Sequence, residues 1–206
     1  MRIFILGATG RVGSVIVNQA LHDGHEVTAL VRQPDKVLFM DRRLTLIQGN
    51  ARNREDVSQA IREADVVISA LGTDGTTTLS EFMKIIIDEM NLQGIKRIVT
   101  VGTAGILQSR VEPELYRYQS SESRRRSTTA AEEHQRVYEM LNASNLDWTI
   151  VCPTYLPDGE AIGNYRVERD YLPEDGVSIS VGDTAEFTYQ QIFKKEYIGT
   201  RVGIAY

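Results

Sequence analysis

The stretch Arg2-Ile3-Phe4-Ile5-Leu6-Gly7-Ala8-Thr9-Gly10-Arg11-Val12-Gly13 decides how the rest of this chain is read. Its first five residues are a short, nearly continuous apolar run, the pattern of a strand buried on both faces. Beyond the glycines, Val12, Val15, Ile16 and Ala20 recur at helical spacing. Strand, glycine turn and helix in that order form the setting in which a G-x-x-G-x-x-G turn holds a pyrophosphate. Gly7 permits the tight turn, Gly10 lets backbone N–H groups approach the phosphates, and Gly13 lets helix and strand pack closely. A dinucleotide is the ligand this pattern predicts.

Working outward, five more buried-strand runs follow: Val27 to Val31, Leu44 to Gln48, Val66 to Ala70, Ile95 to Val101 and Trp148 to Cys152. Helical stripes separate several of them, over Asn53 to Glu63, Ser80 to Gln93 and Thr128 to Asn142. In the last of these, Ala130, His134, Val137, Tyr138 and Leu141 share one face, so His134 is expected to point inward. Alternating strands and helices predict an α/β fold, a single doubly wound, Rossmann-like parallel sheet with helices on both faces. After Cys152 the pattern loosens into a loop punctuated by Pro153, Pro157 and Gly159. A short strand over Tyr165 to Glu168, a helix over Asp183 to Phe193 and a last strand over Gly199 to Ala205 are expected. The polar segment Gln108 to Ser127, with the run Arg124, Arg125, Arg126, reads as a mobile loop, a solvated face or an anion-capturing one.

The chain has 206 residues, 42% of them hydrophobic and 25% charged, with a net charge of -5. That length suits one NAD(P)-binding domain over 1–206, with its substrate region built from loops around 103–127 and 153–170. The acidic balance gives no support to a nucleic-acid or membrane-surface partner. One cysteine, Cys152, and the H-x-x-H pair His22 and His25 argue for neither a disulfide framework nor a metal site. The opening is too short for a signal peptide and no apolar run approaches the roughly 20 residues of a spanning helix. The expected setting is the cytoplasm, as a monomer or weak homodimer acting on a small molecule.

The residue that closes the second strand reads the adenosine ribose: an acid accepts from the 2′-OH of NAD, whereas a cation accommodates the 2′-phosphate of NADP. That residue is Arg32, with Lys36 just beyond, Arg11 in the glycine turn and Asp35 the one nearby acid, so NADP is favoured over NAD. Gly49-Asn50-Ala51 and Ala70-Leu71-Gly72 lie at the ends of the third and fourth strands, beside the expected adenine and ribose.

The tyrosine–lysine pair that delivers a proton in short-chain dehydrogenases has no counterpart on the helix after strand five, where Tyr138 is followed four residues later by Asn142. Tyr165 with Arg169 has a similar spacing but lies beyond the sixth strand.

G-A-T-G-x-x-G at the N-terminus, L-V-R ending the second strand, A-L-G-T at the fourth and D-W-T-I-V-C-P-T-Y-L-P-D leaving the sixth resemble the NmrA-like group of atypical short-chain dehydrogenases. The likeness is to its biliverdin reductase B and flavin reductase type, and includes the E-H-Q-R stretch Glu133 to Arg136. The resemblance implies that Gly7, Thr9, Gly10, Arg11, Val12 and Gly13 hold the pyrophosphate and that Arg32 and Lys36 hold the 2′-phosphate. It also implies that Asn50 and Ala51 meet the adenine, and that Ala70, Leu71 and Gly72 line the ribose. Thr103 would lie beside the nicotinamide, as would Pro153 and Tyr155 on the exit loop, and Tyr155 stands where biliverdin reductase B has histidine. Thr103, His134 and Tyr155 are then the candidate catalytic residues, framing a flat acceptor.

Hydride transfer to a free flavin needs no dedicated protein acid, because the proton can come from solvent. The expected activity is therefore NADPH-dependent reduction of a flavin or quinone-like acceptor, the flavin being substrate and not prosthetic group. The alternative is an NADP(H)-binding redox sensor without turnover, and an isomerase or epimerase ranks last for want of the tyrosine–lysine pair.

Overall fold

A computed structural model describes residues 1–37, 40–123 and 127–206. Its strands are β1 (Arg2–Leu6), β2 (Glu26–Val31), β3 (Leu44–Gln48), β4 (Val66–Ser69), β5 (Arg97–Val101), β6 (Asp147–Pro153), β7 (Arg166–Arg169) and β8 (Thr200–Ala205). They form one sheet in the order β3-β2-β1-β4-β5-β6-β8-β7. Every neighbouring pair is parallel except β7 with β8. The chain runs outward from β1 to β3, then returns to β4 on the other side of β1. That reversal leaves a crevice at the carboxyl ends of β1 and β4, the usual ligand position in such sheets.

Helices α1 (Arg11–His22), α2 (Arg54–Ala60), α3 (Thr78–Gln93), α4 (Thr129–Asn142) and α5 (Val181–Gln190) cover the two faces. Two apolar layers result. Phe4, Leu6, Val67, Ile98 and Ile150 pack with α2, α3 and α4 on one face. Ile3, Ile5, Ile68, Val99, Val151 and Val202 pack with α1 and α5 on the other. Alternate residues of each strand thus point to opposite cores, which is why the strands read as continuous apolar runs. The two edge strands are the exceptions: none of the residues of β3 or β7 is fully buried.

Helix limits differ from the periodicity for local reasons. The second helix starts one residue later than expected because Asn53 is its cap, its side chain accepting from the Asp56 N–H at 3.0 Å. The last helix starts earlier, at Val181, because Ser180 caps it by accepting from Asp183 N–H at 3.0 Å. In α4 the buried stripe is Ala131, Glu133, His134, Val137 and Leu141, so Ala131 replaces Ala130 on the inner face. No helix among the described residues is long and apolar enough to cross a membrane.

Candidate active site

The glycine turn is enforced by backbone collisions. Gly7 has φ +79°, and a Cβ there would lie 2.4 Å from the Ala70 carbonyl oxygen at the end of β4. A Cβ on Gly13 would lie 2.1 Å from the Gly7 carbonyl oxygen, so the helix can rest on the turn only if that residue is glycine. Gly10 closes the turn, its N–H donating to the Gly7 carbonyl at 2.8 Å. As the residue before α1 it offers no side-chain cap, and no acid sits in the first helical turn. The positive end of the helix dipole therefore faces the crevice without an internal counter-charge.

That crevice is a cleft of about 300 Å³ lined by Gly7, Thr9, Gly10, Arg32, Asn50, Ala51, Ala70, Leu71 and Gly72, among others. These nine expected cofactor residues come from the ends of four different strands and meet in one place. Gly72 faces open space, with nothing within 4 Å of a Cβ built on it. Gly49 is in a tighter place: a Cβ would meet the side-chain ends of Asp56 and Leu30, each at 2.8 Å. Asp56 holds the neighbouring turn by accepting from the Asn50 N–H at 2.7 Å.

Three further wall residues were not singled out from the sequence: Arg52, Asp74 and Thr78. Arg52 is held by Glu81, with bonds of 2.5 and 3.0 Å. Asp74 accepts from the side chains of Thr76 and Thr78, and those hydrogen bonds lower its pKa to about 2. The D-G-T-T-T run before α3 was the available signal, since Asp two to four residues ahead of hydroxyl side chains builds such turns.

Arg11 departs from expectation. Its guanidinium donates to the Leu156 carbonyl at 2.9 Å and to Asp158 at 2.8 Å, on the loop leaving β6. It does not join a cationic pocket with Arg32. Lys36, Val12 and Gly13 also lie outside the cleft lining; Gly13 acts through packing alone.

The candidate catalytic residues lie further along the carboxyl edge. Thr103 follows β5 and opens a 3-10 turn over Ala104–Ile106, its hydroxyl accepting from the Gly105 N–H at 3.3 Å. Pro153 ends β6, the strand paired with β5, and is buried. Tyr155 follows it and is 71% exposed, so it does not plug the sheet edge. Its backbone is fixed, the carbonyl accepting from the Ile179 N–H at 2.9 Å. His134 is buried on α4. None of Thr103, His134 and Tyr155 lines the cleft, which ends at Gly72 and Asp74. Between Thr103 and Pro153 lies Cys152, fully buried, whose thiol is pushed up to about 12 by that burial and is inert near neutral pH.

Two other sequence features have structural uses. Glu133 of the E-H-Q-R stretch is buried, accepts from the N–H and hydroxyl of Ser80 in the first turn of α3, and pairs with Arg136. Tyr165 packs edge-on against Phe187, and burial pushes its hydroxyl up to about 12, so its spacing to Arg169 carries no chemistry.

The segment Gln108 to Ser127, expected to be a mobile loop, is folded over its described part together with the turn that precedes it. Arg201 of β8, 5% exposed, donates to Asp170 at 2.9 Å and to the Ile106 carbonyl at 2.6 Å. Its guanidinium lies over the rings of Tyr138 at 4.3 Å and Tyr116 at 5.5 Å. Gln108 N–H donates to the Asp170 carbonyl and Arg117 N–H to the Leu107 carbonyl, each at 2.8 Å. The segment is therefore a stapled cover over α4 and the sheet. Arg124, Arg125 and Arg126 lie outside the described residues.

Comparison with known proteins agrees with this geometry. A family model described as NAD(P)H-binding matches residues 7–195. The uncharacterized protein YwnB of Bacillus subtilis is 27% identical over 183 residues, covering 82% of this chain and 80% of its own. Photosystem II assembly factor Ycf39 of Synechocystis is 37% identical over 81 residues, 39% of this chain and 25% of that protein. Among solved structures, SP1627 of Streptococcus pneumoniae, described as a "putative NADH-flavin reductase", superposes with a TM-score of 0.82 at 25% identity, covering 100% of this chain and 99% of its own. A protein of Burkholderia pseudomallei described as exported gives a TM-score of 0.85 at 28% identity over 100% of both chains. With the glycine cradle, the switch-point cleft and the match over residues 7–195 in agreement, the chain belongs to the NAD(P)H-binding family of Rossmann-fold oxidoreductases, consistent with the NmrA-like atypical short-chain dehydrogenases.

Proposed function

We propose that this chain is an NADPH-dependent oxidoreductase that passes hydride to a free flavin or a similar flat, conjugated acceptor such as a quinone. The observation that carries the reading is the cleft itself, in which the glycine turn and the cation Arg32 line one cavity. Gly7 and Gly13 hold the turn and α1 in a close backbone packing that a Cβ at either would break, and the turn so formed fits a dinucleotide pyrophosphate. Arg32 is exposed at the end of β2, with no competing acid in the cleft lining except Asp74, and is placed to meet a 2′-phosphate.

The nicotinamide, when bound, supplies the hydride. The protein's share is orientation and access. Thr103, Pro153 and Tyr155 stand at the carboxyl ends of neighbouring strands, where the nicotinamide half of an extended dinucleotide would run. Tyr155 presents an exposed ring on a fixed backbone, suited to stacking on a flat acceptor. Tyr138 has a half-buried ring over the Arg201 guanidinium and no lysine four residues on, so it supports no proton relay of the short-chain dehydrogenase kind. A reaction that draws its proton from solvent suits such a site, and the likeness to the pneumococcal protein supports flavin as the acceptor.

The test is NADPH and NADH oxidation followed with FMN, FAD, riboflavin and quinones. Turnover with at least one flat acceptor, faster with NADPH, is expected. Tight cofactor binding without turnover on any acceptor would instead favour a redox-sensing role.

A further inference from the structure

We infer that Asp158 competes with a bound pyrophosphate for the Arg11 guanidinium and thereby sets the affinity of the cofactor site. The inference rests on the dinucleotide reading above. Arg11 is the first residue of α1 and directly follows Gly10, which lines the cleft. A group held over the first helical turn would lie beside it. Yet one of its guanidinium nitrogens, Nη1, serves the exit loop, donating to both the Leu156 carbonyl and Asp158.

This bond is built to be exchanged. The side chains of Arg11 and Asp158 are 57% and 82% exposed, so water and salt screen their attraction. A phosphate oxygen pair beside the same helix end offers Arg11 a two-pronged partner and gains from the helix dipole as well. The exit loop loses little when Arg11 leaves. Tyr155 and Pro157 still accept from the Ile179 and Val181 N–H groups at 2.9 and 3.1 Å, and Gly159 from Gly182 at 2.9 Å. Asp158 itself has no other hydrogen-bond partner among the described residues, so its carboxylate acts on the site through Arg11.

A double-mutant cycle on NADPH affinity, measured by nucleotide fluorescence at low ionic strength, tests this. Asp158→Asn is expected to tighten binding by about two- to fivefold, the range of one exposed ion pair. Arg11→Gln is expected to weaken it, and the double variant to match Arg11→Gln, the Asp158→Asn gain having vanished with its target. Unchanged or weaker binding by Asp158→Asn, or a gain that persists without Arg11, overturns the competition. If the wild-type protein binds neither NADPH nor NADH, the dinucleotide reading falls and this inference with it. If it binds and Asp158→Asn changes nothing, only the competition falls.

Discussion

At Gly7 one added carbon would come within 2.4 Å of the Ala70 carbonyl, whereas the turn after Thr103 is held by a guanidinium 95 residues away in sequence, Arg201 bonding to Ile106. The cofactor end of the sheet is fixed by backbone packed against backbone. The far side of the sheet, around β7 and β8, is fixed by long side chains reaching carbonyls and rings. Arg110 reaches Glu168, the Leu172 carbonyl and the Tyr171 ring; Arg166 reaches the Glu174 and Tyr206 carbonyls. Backbone packing tolerates no substitution but leaves a signature in single letters. Side-chain staples are individually replaceable, and their partners are far apart in the chain.

The sharpest way to break this contrast is at the glycines. Gly7→Ala must bear both a positive φ and the Ala70 overlap, at a combined cost of about 3–5 kcal/mol. Urea denaturation should show that loss, with cofactor binding abolished in whatever remains folded. Gly72→Ala, with open space around it, should leave stability within about 0.5 kcal/mol and affect only ligand binding. Equal stability losses from the two variants would mean that the cradle is not what constrains this end.

Second in size is the staple. Arg201→Met removes a buried cation, two hydrogen bonds and two ring contacts, and strands the Ile106 carbonyl. Because Asp170 remains 45% exposed and keeps water as a partner, the cost is set at about 2–4 kcal/mol, below that of a fully buried pair. Amide hydrogen exchange should rise over residues 104–119 while the glycine turn stays protected. Uniform loss of protection across both ends would show that they are one cooperative unit.

The same contrast explains what could be read in the sequence. All eight strands, all five helices and nine cleft residues were legible, because apolar periodicity and a glycine turn constrain residue type along the chain. Arg52, Asp74 and Thr78 were not, because a wall built from side-chain hydrogen bonds shows no periodicity. The segment Gln108 to Ser127 looked mobile for a related reason: the anchors of its described part, Arg201 and Asp170, lie in strands and turns that no local pattern connects to it. An arginine inside the apolar strand Thr200–Ala205 was the one available hint. Arg11 was placed by analogy with its neighbours, and only the path of the exit loop reveals Asp158 as its partner.

Asp183 offers a test in which pH supplies the perturbation. Burial alone would raise its carboxyl, but hydrogen bonds from Tyr206, Gly163, Ser180 and Ile162 outweigh that and hold its pKa below the usual range. A depressed folded-state pKa means the carboxylate stabilises the fold above the unfolded value and loses that effect as pH falls through the folded one. Asp183→Asn should cost about 1.5–3 kcal/mol near neutral pH, the range of charge-assisted hydrogen bonds. Thermal denaturation of both proteins across acid pH should show the gap narrowing below about pH 4. A gap that stays constant down to pH 2 would assign the role of Asp183 to shape and not to charge.

The smallest effect expected concerns the cation at the cleft, and it asks whether the backbone-built end also chooses its ligand. Arg32 is exposed and makes no ion pair among the described residues, so replacing it should leave the fold unaffected. Its contribution should appear only in a ratio. The 2′-phosphate is the one group that distinguishes NADPH from NADH, and Arg32→Gln removes a bidentate donor for it while keeping length and polarity. Affinity for NADPH should fall about tenfold, with NADH changed by less than about twofold. Arg52, tied to Glu81 on the opposite wall, should not shift the ratio when changed to Gln, because its charge is already answered. Equal losses for both cofactors in Arg32→Gln would make that residue part of the general cradle. The choice between them would then rest on side-chain-built features of this cleft, of the kind that hold the β7–β8 side of the sheet.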